Sequence, residues 1–518
     1  MSKTKLFLLI AICSMITCIY YASLGCGTYF DDLDLSMRLY DQPIFVQLKN
    51  VFFGDSWRGV AIFTINFIAK FFGEQNFVAQ RIFNIFLHLT NFILLFYLLQ
   101  RFFRDFAISI FCSAIFVLNP ITIYAVHYIY QRSILLVVFF ALLQMIFLGV
   151  AIASQKKRVS ISFFVFALAS YLLACMCKEQ AVPLVVIFWA LPILLSKNEN
   201  VRNTLLFMAP CFVLTAFFVA AKKYKHLFGQ VDGYYGQHVI NACGVEVPLH
   251  LKSAMTQARM FFEYFIYWLL PFLNKSMDLR KQIADSAFSP IYFASALWYV
   301  IASLSSLYLL FKRHLSGFAL FVIISLFIVE FQVERFGEIF VLYRAYLFSI
   351  FYALIVASLM FQFKNKFQFR FFHLSGLAII LIHTYFSFRE IQFFKSPLYL
   401  WKRAAEVADT TNINARCQTV RAYSNYGDQL IRAGYPDAAI EPEVGPLIKA
   451  VKISPTFCAS IINKAAAEMM LGQFEQARVD YEFALSSSDE KIVISHARAG
   501  IETLDKIQMG TDIYQNEN

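Results

Sequence analysis

Charge is what this sequence has least of. Of its 518 residues only 15% are Asp, Glu, Lys or Arg, against about a quarter in soluble domains, which excludes an ordinary soluble globular chain. No basic patch interleaved with aromatics is present, so nucleic acid is not an expected partner. The 45 Lys and Arg against 34 Asp and Glu fall instead in short clusters between apolar runs, the pattern of membrane topology. A metal-binding pattern is missing too. Among the ten cysteines, Cys13, Cys18, Cys112 and Cys211 lie inside apolar segments, and the pair Cys175 and Cys177 has no His or Cys at ligand spacing, which reads as thiols acting as small hydrophobes. A small-residue cleavage site is also lacking after the run 6–24, which follows Lys3 and Lys5 and is nearly long enough to span; it reads as a retained first helix.

What is present is apolar and aromatic. Hydrophobic residues make up 59% of the chain, with 59 phenylalanines and a mean hydropathy of +0.59. That is the composition of an all-α polytopic membrane protein. Spans of about 20 apolar residues are expected near 6–24, 82–99, 106–118, 133–153, 161–174, 181–195, 205–221, 291–311, 318–331, 339–361 and 371–386, roughly eleven in all. The stretch between the first two holds short amphipathic pieces suited to the membrane surface, such as 44–53. The run 260–273 is short, carries Glu263 and ends at Pro271. If it does not cross, every basic cluster lies on one side, with the N-terminus cytoplasmic and the C-terminus outside. The loop at Asp31 and Asp32, the loop after Lys222 and the C-terminal tail then share the extracytoplasmic side. The compact tail and short loops favour a bacterial inner membrane over an endoplasmic reticulum.

From about Arg389 the composition turns to that of soluble helices, so the chain divides into a membrane domain, 1–388, and an extracytoplasmic helical domain, 389–518. Gly427, Gly434, Ala439, Ala450 and Pro455 fit the small-residue register of a tetratricopeptide repeat, with an insertion near 441–445. Ala465, Gly472, Ala477 and Ala484 fit a second copy. Small residues at these places let paired helices approach closely. A plain helical hairpin is the simpler alternative. Two copies are few for a free-standing solenoid, so the tail is expected to lean on Trp401 or on the membrane part.

Ionisable residues gather at the outer ends of the spans. Thr28-Tyr29-Phe30-Asp31-Asp32-Leu33-Asp34 follows the first apolar run, and carboxylates at a membrane boundary are costly. Arg58 follows Trp57. Asn84 and His88 lie one turn apart on one helix face. Gln131 and Arg132 open the fourth span; Lys178, Glu179 and Gln180 open the sixth; Asp278 follows a Leu-Pro-Phe-Leu-Asn run; Arg344 and Tyr346 lie in the tenth. Taken singly, each is as well explained by a snorkelling side chain or a helix-packing hydrogen bond. Together they make a pocket of acids facing cations, which transfer from an anionic lipid carrier would need.

The order of these elements resembles the GT-C superfamily of membrane glycosyltransferases, and in particular its transmembrane-and-tetratricopeptide-repeat (TMTC-like) type. The resemblance covers most of the chain. Tyr29-Phe30-Asp31-Asp32 resembles the aspartate pair of the first outer loop, and Trp57-Arg58 an aromatic-Arg-Pro element. The segment from Gln80 through Asn84 to His88 resembles a His-x-x-Asn-x-x-x-His helix. Asn119-Pro120, Ala125-Val126 and Gln131-Arg132 resemble the third loop, and Cys177-Lys178-Glu179 a Lys-Glu signature. Leu270-Pro271 to Asp278 resembles a Leu-Pro…Asp loop, and Arg344 to Leu347 an Arg-x-Tyr-Leu element. The chain departs from the pattern at Gly59, Gln80 and Phe348, which replace Pro, His and Pro, and at Leu342, where many relatives have Glu.

The resemblance implies an inverting glycosyltransferase that takes a sugar from a polyprenyl-phosphate donor in the lipid bilayer. Asp31 or Asp32 would deprotonate an acceptor hydroxyl, a Ser or Thr of a protein presented by the tail, while Arg132, Lys178 and Arg344 hold the leaving phosphate. Arg58, Asn84, His88, Gln131, Glu179, Asp278 and Tyr346 would support the pocket. The second aspartate would orient the acceptor, or a divalent metal if one is used; no cofactor is otherwise expected. A lipid-linked glycan polymerase or ligase, and a non-catalytic repeat scaffold, remain the other readings.

Overall fold

The computed structural model describes residues 3–21, 24–29, 32, 42–54, 56–195, 211–215, 249–276, 283–284, 286, 288–332, 338–364, 369–408, 419–488 and 491–516. Their regular structure is helical throughout. The membrane part comprises α1 (Lys3–Tyr21), α2 (Ile44–Phe53), α3 (Gly59–Phe72), α4 (Phe77–Phe103), α5 (Phe106–Val117), α6 (Ile123–Val126), α7 (Arg132–Ala153), α8 (Lys157–Cys175), α9 (Ile187–Leu195), α10 (Leu249–Leu269), α11 (Pro290–Phe311), α12 (Leu315–Gln332), α13 (Ala345–Phe363) and α14 (Phe369–Ile391). The tail comprises α15 (Pro397–Val407), α16 (Val420–Arg432), α17 (Pro436–Ala439), α18 (Pro446–Ile453), α19 (Cys458–Met470), α20 (Phe474–Ser487) and α21 (Lys491–Asn516).

Six of the described helices are long and apolar enough to cross a membrane: Phe77–Phe103, Ile129–Ala153, Lys157–Cys175, Pro290–Phe311, Leu315–Gln332 and Leu342–Phe363. A seventh arises if α5 and the Pro120–Val126 segment, bent by 45°, form one span. The bend has a local cause. Asn119 caps the second segment by accepting from the Ile121 N–H at 3.0 Å, and Pro120 at the first helical position cannot continue the ladder of α5. The expected span 181–195 is shorter and irregular. Pro183 lies within a 3₁₀ stretch, Glu179–Val186, and only Ile187–Leu195 is α-helical. Most of the expected span 205–221 lies outside the described residues.

Lipid cannot drive helices together as water does, so packing and internal hydrogen bonds must. Both are present: Asn91 donates to the Leu135 carbonyl at 3.1 Å and Gln144 to the Leu184 carbonyl at 3.1 Å, each worth about 0.6–2 kcal/mol in such a setting. Phe86, Ile93, Tyr97, Val165, Leu297 and Leu304 point outward, as side chains that meet acyl chains do.

The tail repeats a local device. Gly434 and Gly472 follow α16 and α19 with φ of +85° and +77°, a left-handed conformation that favours Gly. In each case the next residue closes the same capping bond: the Tyr435 N–H to the Leu430 carbonyl and the Gln473 N–H to the Glu468 carbonyl, both 2.9 Å. Side chains at Gly427 and Gly500 would collide with Leu447 and Tyr481 at 2.3 and 2.4 Å, so these helices touch at their glycines. Helix α17 ends at Ala439 and α18 begins at Pro446, so the segment 440–445 interrupts the helical run.

The tail is tied to the membrane part through 390–403. Helix α14 runs through position 388 without a break. Beyond it Glu390 accepts a hydrogen bond from the Tyr124 hydroxyl, and Phe394 is wedged against the rings of Tyr29, Tyr124 and His127 at 5.0–5.7 Å. Arg403 donates to Asn274 Oδ1 at 2.9 Å and to the Lys275 carbonyl at 3.3 Å. Truncation after Phe388 is therefore expected to melt the detergent-solubilised protein markedly earlier, since losing a buried Phe alone costs about 3–5 kcal/mol. Truncation after Val407 should cost much less. Equal melting points for the two truncations would show that this wedge holds nothing.

Candidate functional site

The loop leaving α1 is held in place by Arg81. This fully buried side chain on α4 donates to three carbonyl groups of the loop, those of Leu24, Cys26 and Gly27, and its guanidinium lies 5.9 Å from the centre of the Tyr29 ring. The Tyr29 hydroxyl donates to the Phe394 carbonyl, and the Asp32 N–H closes a turn onto the Tyr29 carbonyl at 2.9 Å. The loop is thus pinned on both flanks, and Asp32 is delivered inward.

Asp32 is 0% exposed. Its Oδ1 accepts the Tyr130 N–H at 3.0 Å, while Oδ2 is buried with no hydrogen-bond partner among the described residues. Burial disfavours the charged form and pushes this carboxyl up to about 7, against the opposing pull of the Tyr130 N–H and Arg81. Asp31 and Asp278 lie outside the described residues.

Opposite stands Arg132, also 0% exposed, at the start of α7 after the 3₁₀ turn Ile129–Gln131. Its Nε donates to Asn84 Oδ1 at 2.7 Å, and Nη2 to the Gln80 carbonyl at 2.8 Å and Gln80 Oε1 at 2.7 Å. Nη1 is buried without a hydrogen-bond partner among the described residues. Asp32 is the charged group acting on Arg132. Gln80, at the place of the expected His, is fully used, because its amide also donates to the Ile65 carbonyl at 3.0 Å. The site thus offers a buried carboxylate oxygen and a buried guanidinium N–H that have no hydrogen-bond partner among the described residues. An unpaired buried polar atom costs about 1–3 kcal/mol, which a ligand supplying the missing partners would relieve.

A second cationic group adjoins through tyrosines. Lys178 is buried, donates to Gln131 Oε1 at 2.8 Å and lies 4.9 Å from the Tyr343 ring centre. Burial, with Arg58 adding to it, pushes this ammonium down to about 7. The Arg58 guanidinium lies 4.7 Å from the Tyr130 ring centre, and Glu179 acts electrostatically on both cations. Tyr128 sits 6.4 Å from Tyr130 and 6.2 Å from Tyr343, so three tyrosines floor the space between the cations. Composition alone does not single these tyrosines out.

Arg344 is engaged differently from Arg132. It pairs with Glu330 Oε2 at 3.1 Å and Glu338 Oε2 at 3.2 Å. The other Glu330 oxygen accepts from Gln180 at 2.8 Å. Where the expected pattern places Glu at position 342, this chain has Leu342, and the carboxylates come from α12 and the segment after it.

His88 and Tyr346 belong to a deeper network. His88 Nε2 meets the Val117 carbonyl at 3.0 Å, which can only accept, so that nitrogen carries the proton. Nδ1 then accepts from the Tyr346 hydroxyl at 2.8 Å, and that hydroxyl accepts from Asn91 at 3.1 Å. These side chains tie α4 to α13 and make no hydrogen bond to the Asp32 group. The structure therefore links Asp32, Arg132, Asn84, Gln131, Lys178, Glu179, Arg58 and Arg344 through hydrogen bonds and charge, and places His88 with Tyr346 in a separate hydrogen-bond network. Among the described residues, no three His, Cys, Asp or Glu side chains converge as metal ligands.

Sequence reading missed Arg81, Glu330, Glu338 and the tyrosine floor. A signal existed for Arg81, an arginine within an apolar helix, three residues before Asn84 and on the same face. No comparable signal pairs Glu330 with Arg344.

Compared with known proteins, a stretch of the chain is similar to sperm-associated antigen 1 of Mus musculus, 32% identical over 111 residues. The stretch covers 20% of this chain and 12% of that protein. No family model and no solved structure matches the chain.

Proposed function

We propose that this chain is a membrane glycosyltransferase that moves a sugar from a polyprenyl-phosphate donor to a Ser or Thr hydroxyl of a protein on the extracytoplasmic side. One observation carries the reading: a buried carboxylate and a buried guanidinium, each with one atom that has no hydrogen-bond partner among the described residues, next to a second buried cation. An apolar cavity of about 540 Å³ between α5, α10, α13 and α14, lined by Phe111, Trp268, Val356, Met360 and Ile379 among others, supports a donor with a hydrocarbon chain. The reading takes the membrane part as a GT-C-like bundle of about eleven spans. It takes the tail as a tetratricopeptide-like domain that presents the acceptor.

In this scheme the Asp32 carboxylate takes the acceptor hydroxyl proton as the oxygen attacks the anomeric carbon. The carbon–oxygen bond to phosphate breaks on the opposite face, and the phosphate leaves with the electron pair. Arg132 and Lys178 neutralise the departing charge. Asp31 is the alternative base.

The pH profile follows with a definite sign. Asp32 works only when ionised, so kcat/KM should rise with pH through about 7. Lys178 works only when protonated, so activity should fall above about 7, leaving a narrow bell. Lys178→Arg is expected to lift the alkaline limb, because a guanidinium does not deprotonate in this range. The measurement is transfer from a synthetic polyprenyl-phosphate sugar to a protein acceptor across pH 5–9. An alkaline limb unmoved in Lys178→Arg removes Lys178 from the role, and no transfer from any such donor removes the proposal.

A further inference from the structure

The tail contains a cleft that the chemistry at Asp32 does not use. It lies between α17, α18 and α19, with a volume of about 690 Å³, within the range of ligand sites. Its polar lining is Asp437, Glu441, Lys464, Glu468, Gln473 and Gln476.

Glu468 makes it more than an acidic surface. This carboxylate is 3% exposed. Lys464, one turn earlier on α19, donates to Glu468 Oε1 and reaches across to Asp480 Oδ2 on α20 at 2.6 Å. Lys464 is therefore shared between two carboxylates. Glu468 Oε2 is left buried with no hydrogen-bond partner among the described residues. With Asp437 and Glu441 at the rim, the cleft holds three carboxylates against one ammonium that Asp480 already neutralises in part. What is missing is a cation that carries N–H donors.

The shape narrows the choice. Ala438, Ile440, Pro442, Ile448 and Leu471 complete the lining and offer apolar contact to an aliphatic stem. A metal ion would make no use of them, and the acids do not converge as metal ligands. A lysine or arginine side chain satisfies both halves, its stem along the apolar wall and its N–H groups on the carboxylates.

We propose that this cleft binds a basic side chain of an extended peptide, so that the protein substrates it selects carry a Lys or Arg near the modified residue. The selectivity half rests on the glycosyltransferase reading above; the binding half does not.

The test uses the full chain in lipid nanodiscs and fluorescence anisotropy. The probe is a fluorescein-labelled heptapeptide of Ala and Ser with one central lysine, and the control is the same peptide with that lysine acetylated. The lysine peptide is expected to bind at least tenfold more tightly, with the preference lost in Glu468→Gln. If that variant does not fold, Asp437→Asn/Glu441→Gln, both exposed, decides on the same criterion. Equal binding of the two peptides, or a preference that survives in the folded variant, overturns the proposal. Donor hydrolysis on the same nanodiscs reports the Asp32 chemistry separately, so failure of one reading is distinguishable from failure of the other.

Discussion

Asp32→Asn is expected to yield a folded protein that transfers sugar about 10²–10⁴-fold more slowly, the range for loss of a general base. Asn has the shape of Asp, and its carbonyl oxygen can keep the 3.0 Å bond from the Tyr130 N–H. The substitution also removes a charge from a fully buried site, where ionisation is costly. Thermal stability should therefore hold or rise while turnover collapses, a split that a merely structural aspartate would not produce. The experiment is paired: melting temperature in detergent, and initial rate with a polyprenyl-phosphate sugar and protein acceptor. Asp31→Asn, measured alongside, assigns the base between the two acids. Full activity in a folded Asp31→Asn/Asp32→Asn chain would eliminate both.

The second large effect concerns stability. Arg344→Ala leaves Glu330, 1% exposed, without its 3.1 Å partner. Removing one member of a buried pair costs about 3–5 kcal/mol, because the other charge stays behind uncompensated. Glu338, whose side chain is 42% exposed, can turn to solvent and contributes little to this loss. Adding Glu330→Gln should restore most of the stability, since the amide can still meet Gln180 without an unpaired charge. The double variant then separates two roles for Arg344. If the arginine only clamps α12 to α13, Arg344→Ala/Glu330→Gln should transfer sugar nearly normally. If it also holds donor phosphate, the double variant should be stable and slow, with the loss appearing in KM for the donor. Failure of Glu330→Gln to rescue stability would mean that the buried pair is not what Arg344→Ala breaks.

Much of this was legible in the linear chain, for a local reason. Apolar runs reach bilayer length whatever they pack against, so six of the expected spans reappear as helices long and apolar enough to cross a membrane, the runs 6–24, 106–118 and 371–386 reappear as further helices, and the Asn119-Pro120 step marks its own bend. Gly434 and Gly472 announce two copies of one capping turn, because a left-handed residue after a helix favours Gly. The clustering of Arg132 and Lys178 at span ends was visible as charge where charge is expensive.

Partner choice was not legible. Arg132 and Arg344 look alike in sequence, each at the head of an apolar helix. Yet one keeps an N–H without a hydrogen-bond partner among the described residues, under the charge of Asp32, and the other is held by two glutamates. Tyr29 and Phe394 meet across 365 residues, a contact that no periodicity encodes. Hydropathy and turn chemistry act over a few residues and so settle which segments are helical. Which buried charge finds a counter-charge, and which is left open for a ligand, depends on how distant helices pack, and only the tertiary structure decides it.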